Sequence, residues 1–166
     1  MNIETFWEII GKANVLEVQD TGEAIKNAVA ELKKYSEKDM KTFWLIFYEY
    51  YSLLFAKYRI GDLDPFSDDY DTYYYIPTFI FALGYPAYQY FYQLRLCNVK
   101  KVNKLLDILY RKILFDGKEH LGAFYGFPEL ENIAEDAYKE KFSKDLILDF
   151  SLTKKQKEEI RQSLAK

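Results

Sequence analysis

The sequence predicts an all-α fold. Three observations predict it: apolar residues recur at helical spacing in several stretches, turn and capping residues separate those stretches, and no alternating strands joined by a hairpin turn occur. The 166 residues suffice for one domain with its own hydrophobic core. We therefore expect residues 1–166 to form a single-domain, irregular helical bundle of about six to eight helices.

Three helices are predicted in the N-terminal part of the chain. The first follows Asn2, and the second follows the turn at residues 20–22. The third is the longest, because Ser36 and Asp39 resemble a capping box at its start and Gly61 marks its end. Its predicted apolar face comprises Met40, Phe43, Trp44, Phe47, Tyr48, Tyr51, Leu54, Phe55 and Tyr58.

Residues 72–94 form an uncharged stretch of 23 residues with the highest density of aromatic side chains in the chain. Such a stretch has to be buried in a core, in a bilayer or against a partner. A bilayer span requires about 20 predominantly apolar residues, but Pro77 and the Gly84-Tyr85-Pro86 sequence interrupt this one, and tyrosine prefers the membrane edge. We therefore expect no membrane span, but two short core helices with a break at Gly84-Tyr85-Pro86.

The C-terminal half contains three further predicted elements and one ambiguous run. Residues 102–114 repeat apolar side chains at helical spacing and are predicted to form a helix. An irregular region with several glycines follows, and after it another helix is predicted. Its inward-facing residues are predicted to be Leu130, Ile133, Ala134, Ala137 and Tyr138. Residues 146–150 are predicted to be a short strand or a buried turn. Thr153 begins a capping-box pattern and a charged C-terminal helix, which Ile160 and Leu164 anchor.

The composition bears on the cellular compartment of the protein and on the class of its partners. Cys97 is the one cysteine, so no intramolecular disulfide can form, and the opening residues lack the basic and apolar regions of a signal peptide. These features predict a cytoplasmic protein. The net charge of -3 argues against nucleic acid as the main partner.

Charge is unevenly distributed along the chain. Residues 60–94 contain five aspartates and no basic residue, whereas residues 95–118 contain seven basic residues and two aspartates. The two blocks either neutralise each other across the fold or make the molecule dipolar. In the second case the acidic end would attract a basic partner.

Scattered motifs resemble a known family. They are Phe6-Trp7-Glu8-Ile9-Ile10, Ser67-Asp68-Asp69, Phe79-Ile80-Phe81-Ala82-Leu83-Gly84 and residues 128–141. Together they resemble the bacterial family called domain of unknown function 4240. Phe79 stands where the family pattern has tryptophan, and Tyr75 stands near a family arginine. The resemblance implies a shared fold but no established activity.

The sequence offers few catalytic groups. His120 is the single histidine, so neither a histidine-rich zinc site nor a supported catalytic triad can be assembled, and we expect it to be a solvated or capping residue. The aspartates between Asp62 and Asp71 could bind a hard cation through oxygen, but their spacing lacks the glycine and terminal glutamate of an EF-hand loop. We expect Asp68 or Asp69 to cap the following helix, and we predict no metal and no cofactor.

The leading hypothesis is a non-catalytic cytosolic protein-binding domain, because tyrosine and arginine are typical interface anchors and acidic residues lie beside them. One specific form is a bacterial immunity or inhibitor protein that neutralises a toxin, with a protein partner that is basic. The alternative is a metal-dependent hydrolase or phosphotransfer enzyme that uses the Asp62–Asp71 cluster. The predicted partner-binding residues are Asp68, Asp69, Asp71, Tyr73, Tyr74, Tyr85, Tyr88, Tyr92 and Arg95.

Overall fold

The fold is all-α, as predicted. The computed structural model describes residues 1–13, 21–59, 80–94 and 127–165, and within these ranges there is no strand. The helices are α1 (Ile3–Lys12), α2 (Thr21–Leu32), α3 (Glu37–Arg59), α4 (Tyr85–Gln93), a 3-10 helix (Phe127–Asn132), α5 (Ile133–Phe142) and α6 (Lys154–Leu164). That the chain forms one domain stays a prediction. The predicted helix at 102–114 lies outside the described ranges.

Local side-chain hydrogen bonds begin three of the helices. The Asn2 side chain accepts from the Thr5 backbone N–H at 2.8 Å, and the Ser36 hydroxyl accepts from the Asp39 N–H at 3.2 Å. Thr153 begins α6 with a complete capping box. These bonds satisfy N–H groups that have no partner inside the first turn of a helix. The predicted starts of α1, α3 and α6 are therefore confirmed.

The break before α4 is also confirmed. A helical turn at residues 80–82 ends just before Gly84, whose φ of 85° lies in the left-handed region. Glycine adopts this conformation without the steric cost that a Cβ atom would add. Pro86 stands in the first turn of α4, where its missing N–H costs no helical hydrogen bond.

Helix α3 is the central element of the described part of the chain. It packs against α1, α5 and α6, while α2 packs against α1 and α5. Four residues of the predicted apolar face are buried, Met40, Phe43, Phe47 and Leu54, and Ile46 and Tyr50 are buried as well. Trp44, Tyr48 and Tyr51 are only half-buried. The side chains of Phe55 and Tyr58 lie outside the described part of the structure. Neighbours on several sides explain why the buried arc of α3 is wider than one amphipathic stripe. The largest core side chains are Phe6, Phe43, Phe47, Tyr50, Phe81, Tyr88 and Phe91.

Helix α6 is attached through its C-terminal end. The Tyr85 hydroxyl donates to the Ser163 carbonyl at 2.6 Å, and the Gln93 side chain donates to the Leu164 carbonyl at 3.3 Å. The last carbonyls of a helix have no partner inside it. Side chains of α4 thus supply the missing donors and hold the end of α6 against the core.

Residues 143–153, which we call the crossover segment, connect α5 to α6. Residues 145–150 have no regular secondary structure, and Ile147 is 71% exposed. The prediction of a short strand or a buried turn is therefore wrong. Leu152 is buried, so the apolar run is anchored at its end but turns some of its side chains to solvent.

Among the helices of these ranges, none combines the length and the apolar composition that a membrane crossing requires.

Candidate protein-binding surface

Most of the predicted binding residues fall outside the described part of the chain. These are Asp68, Asp69, Asp71, Tyr73, Tyr74 and Arg95. The Asp62–Asp71 cluster and His120 also lie outside it. Partner binding or metal binding by these residues stays a prediction.

The three described tyrosines of the predicted set lie at the junction of α4 with the core. Tyr88 is fully buried and its hydroxyl donates to the Tyr50 carbonyl at 2.6 Å. Tyr85 is half-buried and bonded to Ser163, and Tyr92 is half-buried with its ring parallel to that of Tyr88, at a centroid distance of 6.4 Å. Tyr88 has no exposed surface to offer a partner, so the structure corrects its predicted place to the core. Binding by Tyr85 and Tyr92 stays a prediction.

The crossover segment carries two of the large apolar side chains that are exposed in the described ranges. Ile147 is 71% exposed and Phe150 is 38% exposed. Leu146 packs against the core and Leu152 is buried, so the exposed pair is flanked by apolar anchors. Exposed apolar residues that are held in position form a surface that a partner can bury.

A charged junction holds the middle of the crossover segment. The Lys41 ammonium on α3 lies 3.1 Å from Asp149 Oδ1 and 3.1 Å from Glu37 Oε1. Hydrogen bonds to Asp149 and then to Glu37 raise the pKa of Lys41, and the Lys41 hydrogen bond lowers the pKa of Asp149. Lys41 is therefore firmly protonated. It serves as an ion-pair partner and not as a nucleophile or base.

Tyr138 extends the same junction to α5. Its hydroxyl donates to Glu37 Oε1 at 2.7 Å. This hydrogen bond raises the pKa of Tyr138 and is the main cause of the lowered pKa of Glu37. The shifts keep tyrosine neutral and glutamate ionised, so the junction joins α3, α5 and the crossover segment without a group poised to transfer a proton near neutrality.

Helix α3 also carries two half-buried aromatic rings in close contact. The rings of Trp44 and Tyr48 have centroids 4.0 Å apart. Burial raises the pKa of the Tyr48 hydroxyl, and the neighbouring charges of Glu131 and Glu135 raise it further.

The described surface also has an open groove, with α2 on one side and the 3-10 helix and α5 on the other. Its volume is about 680 Å³, and Ile25 and Val29 contribute apolar lining. Lys26, Asp136 and Glu140 add charges of both signs. Mixed charge does not select a ligand of one sign, so the groove indicates no ligand class.

No group of three or more histidine, cysteine, aspartate or glutamate side chains in the described ranges is arranged to hold a metal ion. The hard-cation hypothesis concerned other residues, Asp62 to Asp71, and stays a prediction.

Comparison of the chain with family models, curated proteins and solved structures finds no significant match. Membership of the family called domain of unknown function 4240 stays a prediction that rests on the motifs alone.

Sequence reasoning missed the crossover segment as a surface. An apolar run such as residues 146–150 normally indicates burial. Lys41 gave a weak signal, since it lies among apolar residues on α3 and a lysine placed there requires a partner. That partner, Asp149, lies 108 residues away along the chain.

Proposed function

We propose that this chain is a non-catalytic protein-binding domain, and that the crossover segment is part of its contact surface. The observation that carries the proposal is the exposure of Ile147 and Phe150 on a segment fixed to α3 by the Lys41–Asp149 ion pair. A segment that is already positioned loses less conformational entropy when it binds. Burial of Ile147 and Phe150 against a partner should therefore give a higher affinity than burial of the same side chains on a free loop.

The chemistry of the described residues supports binding over catalysis. The charged junction contains a protonated lysine between two ionised carboxylates, which is the arrangement of a structural ion-pair network. An immunity or inhibitor protein that neutralises a toxin is one specific form of the proposal. A cytoplasmic location is proposed with it, on the strength of the single Cys97.

The test compares partner capture by the full chain and by variants of the crossover segment. We expect wild-type protein to retain a stoichiometric partner from a lysate of the source organism, and the double variant Ile147→Ser, Phe150→Ser to lose it. Ser151→Ala is the matched control, because Ser151 is an exposed residue of the same segment. Its capture should equal that of the wild type.

Folding of each variant is checked by circular dichroism and thermal unfolding before capture. Exposed side chains contribute little to stability, so all variants should unfold within a few degrees of the wild type. Equal capture by the double variant and the wild type would remove the crossover segment from the contact surface.

A further inference from the structure

The crossover segment is extended over residues 145–153. These residues contain no helix, no turn and no bend, and Thr153 has extended backbone angles, with φ of -67° and ψ of 159°. The first residues of the segment alternate in exposure, as the residues of a strand do. Asp145, Ile147 and Asp149 are exposed, whereas Leu146 and Leu148 are half-buried. The segment therefore has the backbone shape of a β-strand, with one face toward the core.

This extended segment has no neighbouring strand. None of the backbone N–H and C=O groups of residues 145–152 takes part in a backbone–backbone hydrogen bond within the described ranges. Such groups need a partner, and water serves as the partner where no protein group is present. A row of them is the feature through which an edge strand pairs with another chain.

The segment is fixed to the core at several points. Leu146 packs against the core and Leu152 is buried. Between these two anchors, Asp149 pairs with Lys41 at 3.1 Å. A strand that adds to the segment therefore pairs with a backbone that is already ordered, and less conformational entropy is lost on binding.

The outward face of the segment has two acidic side chains with an apolar one between them. Asp145 makes no ion pair with a described residue, and Asp149 keeps 68% of its side chain exposed although it pairs with Lys41. Ile147 lies between them and is 71% exposed. Side chains that stand directly opposite each other in a β-ladder share a face, and opposite charges stabilise such a pair. A strand with basic, apolar and basic residues at alternate positions therefore complements this face.

A second copy of the chain complements the face poorly. Two identical antiparallel strands around a two-fold axis place residues opposite each other symmetrically about that axis. An axis at Ile147 sets Asp145 against Asp149, and an axis at Asp149 sets that carboxylate against its own copy. An axis at Leu148 sets Asp149 against Ile147. Since like charges directly opposite each other destabilise a ladder, the charges favour a different protein as the occupant.

We propose that the crossover segment binds an extended segment of a partner protein by β-strand addition, and that the added strand carries basic residues opposite Asp145 and Asp149. The inference rests on the protein-binding function proposed above and gives the mode of binding. Main-chain hydrogen bonds hold the added strand, and the alternate side chains of the outward face select its sequence.

The probe is a short fluorescent peptide, Thr-Lys-Thr-Val-Thr-Lys-Thr, added to the full-length protein and followed by anisotropy. We expect it to bind about tenfold more tightly than the same peptide with glutamate in place of lysine. A third peptide keeps the lysines and the valine but is N-methylated at its central amides, so that neither edge can donate; it should bind at least about tenfold more weakly than the unmethylated peptide. Equal binding of the methylated and unmethylated peptides would overturn the proposal.

Amide hydrogen exchange, followed by NMR, tests the ladder itself. In a ladder, successive N–H groups of a strand point to opposite edges, so a strand added at one edge protects alternate amides. We expect the lysine peptide to slow exchange about tenfold at alternate residues within 145–151 and to leave the amides between them unchanged. Uniform slowing or none would overturn strand addition. The same alternate slowing in concentrated protein without peptide would assign the segment to a second copy, and this too would overturn the proposal.

Asp145→Lys locates the binding. It should weaken binding of the lysine peptide about threefold to fivefold and strengthen binding of the glutamate peptide by a similar factor. Glu8→Lys is the matched control, because Glu8 is exposed on α1 and undergoes the same change of charge. Both peptides should bind this control as they bind the wild type. Equal effects of the two substitutions would contradict the assigned site.

Strand addition and the proposed function can fail separately. Loss of partner capture by Ile147→Ser, Phe150→Ser, without alternate amide protection by the peptide, would keep the contact surface and overturn strand addition. Alternate protection by the peptide, with capture unchanged in the double variant, would support strand addition and remove the proposed role of the two apolar side chains.

Discussion

The ammonium group of Lys41 lies 3.1 Å from the Asp149 carboxylate, and this pair is the one side-chain hydrogen bond between residues 145–151 and the helices within the described ranges. Lys41 is only 8% exposed, so its stem lies on the core while its charge reaches the crossover segment. The apolar anchor Leu152 and this ion pair together determine where Ile147 and Phe150 are presented.

Removing Asp149 should loosen the crossover segment without unfolding the helices. We expect Asp149→Ala to increase the rate of thermolysin cleavage within residues 145–151 by a factor of roughly two to five, as suits a solvent-accessible ion pair. Asp145→Ala is the matched control, since Asp145 is exposed on the same segment and pairs with no described residue. Identical cleavage of the two variants would show that Asp149 does not restrain the segment.

Acid should weaken the charged junction. The hydrogen bond from Tyr138 lowers the pKa of Glu37 below its ordinary 4.5, and the bond from Lys41 lowers that of Asp149 below 3.8. Folding lowers the pKa of both carboxyl groups. Their contribution to stability is therefore fully present at a pH above their ordinary pKa values, and it is lost as the pH falls through their lowered pKa values in the folded protein. We expect the free energy of unfolding from urea titrations to decline below about pH 4.5.

Tyr138→Phe provides the check on that prediction. It removes the main cause of the shift, so the pKa of Glu37, followed by NMR titration, should rise toward 4.5. A pKa that is unchanged in Tyr138→Phe would contradict the assigned cause.

Tyr88 should behave as a core residue. Tyr88→Phe removes the hydroxyl bond to the Tyr50 carbonyl and should cost about 1 kcal/mol, whereas Tyr88→Ala should cost about 3–5 kcal/mol because it leaves a cavity. Urea unfolding measures both. If Tyr88→Ala unfolds as the wild type does while losing partner capture, Tyr88 belongs to the contact surface and not to the core.

The two tryptophans should respond differently to replacement by phenylalanine. Trp44 has a buried N–H without a partner among the described residues, so Trp44→Phe removes an unsatisfied donor and should change the unfolding free energy by no more than about 0.5 kcal/mol. Trp7 packs against Phe81 at 5.3 Å and Tyr50 at 5.1 Å, and Trp7→Phe should cost about 1–3 kcal/mol.

The Trp7 N–H lies close enough to the Tyr50 hydroxyl to oppose the rise in pKa that burial gives Tyr50, although it makes no hydrogen bond of regular geometry. Differential scanning calorimetry of Trp44→Phe and Trp7→Phe measures the loss of stability in each variant and so tests the prediction. A larger loss for Trp44→Phe than for Trp7→Phe would reverse the assigned roles.

Local signals predicted the helices well, because caps act between residues three positions apart. Asn2, Ser36 and Thr153 all begin the helices that the sequence predicted. The inward residues of the predicted helix after Gly126, from Leu130 to Tyr138, are all buried as expected. Apolar spacing and capping chemistry are contained in the segment itself, so no knowledge of its neighbours is needed.

Surfaces were harder to predict than helices. Tyr88 and Tyr90 lie two positions apart on one helix and therefore face different ways, but their spacing does not tell which of the two faces the core. Tyr88, predicted as a binding residue, is buried, and Tyr90 is 47% exposed. The prediction of a short strand or a buried turn at residues 146–150 was wrong for a related reason. Whether residues 146–150 are covered depends on Lys41 and on α3, which are remote in sequence. Neither question can be answered from one stretch of chain.

Tyr50 contacts segments that are far apart in the chain, and this bears on how the protein folds. Its carbonyl accepts from Tyr88, 38 residues away, and its hydroxyl pairs with that of Ser163, 113 residues away. Its ring stacks against Phe6 of α1 at 5.7 Å. These contacts form only after long loops have closed, and loop closure costs entropy before any contact repays it. Segments from α1, α3, α4 and α6 therefore gain their shared core together, which favours a cooperative folding transition over the stepwise addition of helices.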